Sequence, residues 1–403
     1  MAETIELNGR RYHTPERPTV VICVDGCDPE YVERGIADGV FSTIGSFRRK
    51  GYLGTADAAM PTFTNPNNVS IVTGAPPSVH GIAGNYYLDR ESRREIMMTD
   101  DRLMRSETIL ALMARAGVRT AAITAKDKLR KLLGRNLDGI CFSSECADVE
   151  VEAMVGRGKP DMYSADLSLF VLDAGIKLLE RGAAELLYLS LSDYVQHAHA
   201  PGTPEADAFN RAIDDRVRRF VEIGAVVGLV ADHGMNDKAL PSGEPHVIFL
   251  EDELNDRFGD GTVRVICPIT DPFVRHHGAL GSFVRGYARK GADLSSLMAA
   301  SAALPGVALV LDGPNAARRF ELPLDREADF VVLGDANTAI GASRAEHDLS
   351  GLAGHRLRSH GGLGEQRVPF ILSRPPTPEY RQMAATCRLR NFDIFDFALN
   401  GAA

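Results

Sequence analysis

The sequence predicts an α/β fold in which a central, mostly parallel sheet is flanked by helices and carries a smaller inserted cap subdomain. Three observations support this fold class. Short apolar runs typical of buried strands alternate with segments of helical periodicity. Acidic residues follow three of these runs. A stretch rich in Ala, Gly and Arg interrupts the alternation late in the chain.

The strands of the predicted sheet are continuous apolar runs, as expected for parallel strands that are buried on both faces. They are expected at Thr19–Val24, Val118–Thr124, Leu186–Leu191 and Ala225–Ala231. A helix over Glu107–Ala116, ended by Gly117, leads into the second of them. Helical spacing predicts another helix between the last two, through Phe209, Ile213, Val217 and Phe220.

Two further patterns concern the N-terminal segment and the inserted cap. Ile5–His13 contains the Asn8-Gly9 pair typical of a two-residue β-hairpin and is expected to form a small flap. Residues 255–328 are expected to form the cap, inserted into a core domain of residues 1–254 and 329–403. Phe330–Leu333 would then resume the strand–helix alternation of the core.

Composition excludes several classes of protein. The 403 residues carry a net charge of −9 and contain no long Lys/Arg-rich run, which argues against nucleic-acid binding. No apolar window reaches the length of a membrane span, and the polar N-terminus lacks the core of a signal peptide, so a cytosolic location is expected. The six cysteines form no Cys-x-x-Cys pair, so we expect reduced thiols. The oligomeric state stays open, with a homodimer among the options.

Candidate metal ligands collect where strands end. Asp25, Asp193 and Asp232 each follow an apolar run, and the carboxyl ends of parallel strands meet at one edge of a sheet. A single aspartate at such a place is ordinarily a helix N-cap. Two of these aspartates, however, have a histidine nearby: His197 follows Asp193 at i,i+4, on the same face of a helical turn, and His233 is adjacent to Asp232.

A late Ser-His-Gly-Gly segment adds His360. The three carboxylates and three imidazoles are enough ligands for two divalent ions, and such ligands also accept Mn²⁺ or Fe²⁺.

Thr64 is the candidate nucleophile. It stands just before Pro66 and the run Val69–Thr73, where it is expected to be the N-cap of a helix. Capping alone would explain a threonine there. A hydroxyl group at a positive helix end beside a metal ion, however, could ionise and attack phosphorus.

Taken in chain order, these segments resemble the alkaline-phosphatase superfamily, and within it the nucleotide pyrophosphatase/phosphodiesterase-like branch. The similar segments are VDGCDPEY, PTFTNPNNVSIVTGAPPSVHGIAGN, SDYVQHAHAP, VADHGM and SHGGLGEQRVPF, which span positions 24 to 370. The resemblance implies an alkaline-phosphatase-like fold and two Zn²⁺ ions per chain. It implies one zinc ion held by Asp25, Thr64, Asp232 and His233, and the other by Asp193, His197 and His360.

The resemblance also implies roles around the metal ions. Thr64 would be the nucleophile, and Asn85 would donate a hydrogen bond to a phosphoryl oxygen. Asn65 stands where many diesterases have an aromatic residue, which argues against a slot for a nucleotide base.

Within that branch, the sequence is most similar to the members that cleave phosphonoacetate. The similarity lies in the lysine pair Lys126 and Lys128 and in the cap segment 271–278. In extended chain, side chains at i and i+2 point the same way, so two ammonium groups could bind one carboxylate. The alternative is a pair of solvated lysines that open a helix.

The function implied is hydrolysis of the carbon–phosphorus bond of a small anionic phosphonate, phosphonoacetate, to acetate and phosphate through a phosphorylated Thr64. Lys126 and Lys128 would neutralise the charge that develops on the leaving group. One alternative is a phosphodiesterase or phosphomonoesterase with the same metals. Another, a binding protein that kept the fold without catalysis, predicts a lost ligand or nucleophile, and none is lost.

Overall fold

The structure is a computed structural model of the chain and describes residues 3–269, 279–347, 349 and 356–403. The predicted cap segment 271–278, with His276 and His277, therefore lies outside the described residues.

The strands are β1 (Thr4–Leu7), β2 (Arg10–His13), β3 (Thr19–Cys23), β4 (Tyr52–Asp57), β5 (Tyr86–Asp89), β6 (Arg94–Met97), β7 (Thr120–Thr124), β8 (Ile140–Ser143), β9 (Leu186–Ser190), β10 (Val226–Val230), β11 (Asn236–Asp237), β12 (Val247–Phe249), β13 (Val263–Ile266), β14 (Phe283–Ala288), β15 (Val307–Asp312), β16 (Phe330–Gly334), β17 (Ala339–Gly341), β18 (Arg358–Ser359) and β19 (Arg367–Leu372).

The helices are α1 (Pro29–Ala37), α2 (Ser42–Lys50), α3 (Thr64–Thr73), α4 (Pro77–His80), α5 (Ile109–Arg115), α6 (Asp127–Leu133), α7 (Val149–Val155), α8 (Asp166–Glu180), α9 (Tyr194–Ala198), α10 (Pro204–Glu222), α11 (Leu250–Phe258), α12 (Leu294–Ala302), α13 (Gly313–Phe320), α14 (Pro378–Thr386) and α15 (Ile394–Asp396). Within the described parts of the chain, none of them combines the length and apolar character that crossing a membrane requires.

A seven-stranded sheet forms the centre of the molecule, in the order β4-β19-β10-β3-β9-β7-β8. Neighbouring strands from β10 to β8 run parallel, whereas β19 is antiparallel to both β10 and β4. Every residue of β3, β7, β9 and β10 is buried, which explains why these strands are continuous apolar runs rather than alternating ones. The α/β class and the mostly parallel sheet predicted from the sequence are confirmed.

The N-terminal hairpin forms as predicted, with Asn8 and Gly9 both at positive φ in its turn. It is not a flap, however. Ile5, Leu7 and Tyr12 are buried in the main hydrophobic core. The hairpin therefore closes the core domain instead of projecting from it.

A second, four-stranded antiparallel sheet has the order β13-β14-β16-β15 and its own hydrophobic core. It contains Phe330–Gly334, so the prediction that Phe330–Leu333 return to the main sheet is wrong. This strand is apolar on both faces because helices and neighbouring strands cover it, and its sequence resembles a parallel core strand for that reason. The second core includes Met60, Phe63 and Ala83, and its remaining residues extend from Leu250 to Ala342, beyond the predicted cap on both sides.

Candidate active site

The three strand-end aspartates lie together at one edge of the main sheet. Asp25, Asp193 and Asp232 follow β3, β9 and β10, which are neighbours in the order β10-β3-β9. Parallel neighbours end at the same edge, so the loops that follow them converge. All three carboxylates are almost inaccessible to solvent, with exposed fractions of 0%, 3% and 0%.

Asp193, His197 and His360 form the first group of ligands. His197 Nε2 lies 3.0 Å from Asp193 Oδ2, as the i,i+4 spacing on α9 predicts. His360 Nε2 lies 4.0 Å from the same oxygen. One ligand atom from each residue lies within 4.8 Å of the others, which is compact enough for one metal ion.

Asp25, Asp193 and His233 form a second group of the same compactness. His233 Nε2 lies 3.3 Å from Asp25 Oδ1 and 3.6 Å from Asp232 Oδ2. Thr64 Oγ1 is 3.4 Å from the same nitrogen. The structure thus places Asp25, Thr64, Asp232 and His233 close together and adds Asp193 as a residue that both groups share.

All three histidines present Nε2 to this cluster because their Nδ1 atoms are engaged elsewhere. Nδ1 of His197, His233 and His360 lies 2.7, 2.9 and 2.8 Å from the backbone carbonyl oxygens of Arg358, Gly234 and Thr62. A carbonyl oxygen can only accept, so Nδ1 carries the proton and Nε2 keeps its lone pair. This is the tautomer in which Nε2 can bind a metal ion.

The electrostatics of the cluster favour a cation. Burial, followed by the charges of Asp193 and Asp232, raises the pKa of Asp25 well above its ordinary value. Burial raises the pKa of Asp232 to about 7. Burial also lowers the pKa of His233, and lowers that of His360 well below its ordinary value. Asp25 and Asp232 are therefore buried carboxylates beside neutral imidazoles, a setting in which a divalent ion would supply compensating positive charge.

Asp25 supplies the test of whether a metal ion fits. Both of its carboxylate oxygens are buried and accept no hydrogen bond from any described residue. An anionic group without donors is costly to bury. With Nε2 of His233 beside it, Asp25 is suited to coordinate a divalent ion, and the donor set of carboxylate oxygen and imidazole nitrogen suits zinc.

Thr64 is the first residue of α3, and Phe63, rather than Thr64, is the N-cap. The preceding turn is held by Asn67, whose Oδ1 accepts from Ala59 N at 2.7 Å and whose Nδ2 donates to Ala59, Pro61 and Phe63 carbonyls. The Thr64 hydroxyl therefore lies at the amino end of a ten-residue helix, where partial positive charge favours its ionised form.

Asn68 is a residue of the site that sequence reasoning missed. Its Nδ2 donates to Thr64 O at 3.0 Å and to Asp232 Oδ2 at 3.3 Å, so it links the helix of the candidate nucleophile to a candidate metal ligand. Its Oδ1 accepts from Tyr188 and Ser190. The sequence did contain a signal, the three asparagines among the first five residues of α3, and the structure shows that every residue of this helix is buried. Buried asparagine side chains need hydrogen-bond partners, so a helix with several of them fixes the position of neighbouring groups.

Lys126 reaches the metal-ligand cluster. Its Nζ lies 2.7 Å from Asp193 Oδ1, and its side chain is 9% exposed. Lys128 lies in the first turn of α6, because the helix begins at Asp127. The prediction that the two lysines align because the chain is extended is therefore wrong, since only Lys126 has extended backbone.

Asn85 is buried beside the second sheet. Its backbone N–H donates to Pro268 O at 2.7 Å, and its Nδ2 donates to Ile269 O at 3.2 Å. An amide nitrogen has two hydrogens, so one is left for a further acceptor. Arg285, in contrast, is fully buried and pairs with Glu327 at 2.7 Å.

Comparison with known proteins identifies the family of the chain. The sequence pattern of the family "Type I phosphodiesterase / nucleotide pyrophosphatase" matches residues 19–264. A Schizosaccharomyces pombe protein described as an uncharacterized pyrophosphatase/phosphodiesterase is 22% identical over 244 residues, 59% of this chain. The match spans about half of that relative's length (47%). Phosphonoacetate hydrolase of Penicillium oxalicum is 69% identical over 49 residues, which are 11% of this chain and 68% of that one.

Among solved structures, phosphonoacetate hydrolase of Sinorhizobium meliloti, in complex with phosphonoacetate, superimposes with a TM-score of 0.95 and 44% identity, covering 100% of both chains. The same enzyme in complex with phosphonoformate gives the same values. Murine ectonucleotide pyrophosphatase/phosphodiesterase 5 shares the fold alone, with a TM-score of 0.63 at 15% identity over 94% of each chain.

The chain belongs to the type I phosphodiesterase/nucleotide pyrophosphatase family, with an alkaline-phosphatase-like fold. It is a hydrolase and a homologue of phosphonoacetate hydrolase.

Proposed function

We propose that the chain hydrolyses the carbon–phosphorus bond of phosphonoacetate to acetate and phosphate. Two Zn²⁺ ions would be held by the two ligand groups, one by Asp25, Thr64, Asp232 and His233 and the other by Asp193, His197 and His360. Bound there, the ions would act as Lewis acids that neutralise the phosphonate oxygens and favour the ionised Thr64 hydroxyl.

The contact between Lys126 and Asp193 carries this proposal. Phosphonoacetate has one methylene between phosphorus and carboxylate, so a cation that binds the carboxylate must lie next to the groups that hold the phosphonate. Lys126 Nζ is 2.7 Å from a carboxylate of the metal-ligand cluster. An ammonium group has three hydrogens, so it can bind Asp193 and a substrate carboxylate together. A simple phosphate ester has no carboxylate for this ammonium group to bind.

The proposed reaction has two displacements. Thr64 gives its hydroxyl proton to solvent, and Oγ attacks phosphorus, forming an O–P bond as the C–P bond breaks, so that the electron pair leaves on the methylene carbon. That carbanion delocalises into its carboxylate, where Lys126 stabilises the charge, and it takes a proton from water to give acetate. Water then cleaves phosphothreonine to phosphate and free Thr64. Asn85 Nδ2 donates to a phosphoryl oxygen in both displacements.

The second sheet is proposed to be the predicted cap, inserted into the metal-binding core domain. It lies against the site, because Ser282 N donates to His360 O at 2.9 Å and Pro268 O accepts from Asn85 N. Excluding water from this region would strengthen the charge stabilisation by Lys126.

Hydrolysis of a phosphodiester or phosphomonoester is the second candidate, because the family as a whole is described by that activity. Asn65, which follows the nucleophile, argues against it. Asn65 is completely buried and donates to Met98 O at 3.2 Å, so it offers no surface on which a nucleotide base could stack.

Phosphate release by purified, zinc-loaded protein tests the proposal. Phosphonoacetate and a nitrophenyl phosphodiester are compared at equal concentration, with methylphosphonate as a phosphonate that lacks the carboxylate. We expect turnover of phosphonoacetate and none of methylphosphonate. Faster turnover of the diester than of phosphonoacetate would favour the second candidate.

Elemental analysis of the same preparation tests the metal centre. We expect about two zinc ions per chain, loss of activity after chelation and recovery with Zn²⁺. A metal content below about one and a half ions per chain in fully active protein would contradict the two-ion centre.

A further inference from the structure

A buried ion pair joins two loops of the site without entering it. Lys238 Nζ lies 2.7 Å from Glu365 Oε1, and both side chains have an exposed fraction of 0%. Lys238 Nζ also donates to Ala336 O at 2.8 Å. An ion pair taken wholly out of water is weak evidence for stability, because desolvation offsets the attraction. Its other contacts therefore decide what it does.

Glu365 is bonded to the segments that carry His233 and His360. Its Oε2 accepts from the N–H of Gly362, two residues after His360, at 3.0 Å. Its backbone oxygen accepts from the N–H of Gly234, the neighbour of His233, at 2.8 Å.

Asn236 adds a third link to Glu365. Its Nδ2 donates to Oε1 of Glu365 at 2.6 Å. Asn236 also pairs with Ser359, the neighbour of His360, across β11 and β18. Glu365 thus connects both histidine loops to a strand pair, through its backbone oxygen on the His233 side and through its side chain on the His360 side.

The two histidines need such a connection because they position each other. Their rings are stacked, with centroids 3.6 Å apart and an interplanar angle of 8°. Gly234 is held at both ends, since its N–H donates to Glu365 and its carbonyl accepts from His233 Nδ1 at 2.9 Å. A shift of Glu365 would therefore move the backbone that orients the His233 ring, and with it the stacked ring of His360.

We propose that Glu365 is a positioning residue for the metal centre, holding His233 and His360 so that both Nε2 atoms face the ions. The inference rests on the proposed function, because it requires the two-ion centre. An ionised carboxylate suits this position because it accepts from Gly362, Asn236 and Lys238 at once, which an amide oxygen cannot do. Groups that orient metal ligands typically change metal affinity by about 10- to 100-fold.

Zinc affinity of the full-length protein tests the proposal. Metal-free protein and Glu365→Gln are titrated with Zn²⁺ in competition with a chromogenic chelator. We expect the variant to bind the ions at least about tenfold more weakly. Glu327→Gln is the matched control, because it breaks another buried ion pair, Arg285–Glu327, in the second sheet. We expect it to keep zinc affinity within about twofold, whatever it loses in thermal stability.

The outcomes separate the inference from the proposed function. If the unmodified protein binds no zinc, both fail. If it binds zinc and Glu365→Gln binds equally well, or if both variants weaken binding alike, the positioning role alone is wrong.

If Glu365→Gln does not fold, a second variant still tests the proposal. Glu365→Asp retains the charge opposite Lys238 but draws the carboxylate back by one methylene from Gly362. We expect a smaller loss of zinc affinity than in Glu365→Gln, with thermal unfolding close to that of the unmodified protein. Unchanged zinc affinity in Glu365→Asp would count against the proposal.

Discussion

Thr64 is the residue whose replacement separates chemistry from metal binding. Thr64→Ala should lose turnover of phosphonoacetate to the background rate, because no hydroxyl remains to attack phosphorus. Metal content should stay close to two ions per chain, since Asp25, Asp232 and His233 remain. Thr64→Ser should keep part of the activity. Phosphate release together with elemental analysis checks all three, and near-native turnover by Thr64→Ala would replace the covalent route by direct attack of water.

Variants of Lys126 and Lys128 distinguish a carbon leaving group from an oxygen leaving group. Replacing either by Ala should lower turnover of phosphonoacetate about a hundredfold or more, through lost stabilisation of the carbanion's charge. Turnover of a nitrophenyl phosphate ester should fall far less, because its leaving group is already a stable phenolate. The ester is needed as a readout because Lys126 also contacts Asp193.

Lys131→Ala is the matched control for the two lysines, since Lys131 is exposed on the same helix. Its turnover of both substrates should be unchanged. Equal losses on both substrates in the Lys126 and Lys128 variants would assign these lysines to folding or to general phosphate attraction.

At the scale of the element, the turn into α3 depends on the Asn67 side chain. Asn67→Ala removes the partner of Ala59 N and leaves three backbone carbonyls with fewer donors. We expect a loss of about 2 to 3 kcal/mol in the free energy of unfolding, measured with denaturant. Asn337→Ala, at an exposed asparagine that makes one such bond, should stay within about 0.5 kcal/mol. Similar losses in both would mean that the Asn67 bonds are replaced by water.

Strand positions were predictable because burial on both faces leaves an apolar run that little else produces. β3, β7, β9 and β10 lie where the sequence indicates, to within two residues. The assignment of strands to sheets was not predictable in the same way. Phe330–Gly334 has the same apolar pattern, yet it joins the second sheet, because pairing depends on contacts distant in sequence.

The candidate metal ligands were accessible to sequence reasoning, because strand-end aspartates and an i,i+4 histidine form a recognisable pattern and the family resemblance implied the complete set. The supporting groups were not. Asn68, Glu365 and the carbonyl partners of the histidines act through distances that only the folded chain sets. The sequence indicated Lys126 as a cation for the substrate carboxylate, but only the folded structure shows its contact with Asp193.

At the scale of the whole molecule, acid sensitivity should depend on His80. Burial, followed by the charge of Arg326, lowers its pKa from 6.5 to about 3. The neutral ring accepts from Ile82 N through Nδ1 and donates to Ser70 through Nε2. The unfolded chain therefore binds a proton below pH 6.5 that the folded chain does not bind until about pH 3. This contribution to stability is complete above pH 6.5 and is lost as pH falls, at up to about 1.4 kcal/mol per pH unit.

Denaturant unfolding of metal-free protein from about pH 7 to about pH 4.5 measures this slope. His80→Gln should lower the slope of unfolding free energy against pH by close to the value for one proton. The comparison between the two proteins is required because the raised pKa values of Asp25 and Asp232 act in the opposite direction, adding stability as pH falls. Parallel curves would mean that folded His80 takes up its proton at an ordinary pH.

Phe63 couples the sequence of the loop before Thr64 to the packing of the second sheet. It directly precedes the nucleophile, yet it belongs to the hydrophobic core of the second sheet, edge-on to Phe283 at 6.4 Å and to the His360 ring at 5.6 Å. Met60 and Ala83 lie in the same core. A cap grafted from a relative would therefore have to fit around side chains that the recipient's nucleophile loop supplies. In this family, exchange of caps during evolution or engineering should succeed only when residues 60–63 are transferred as well.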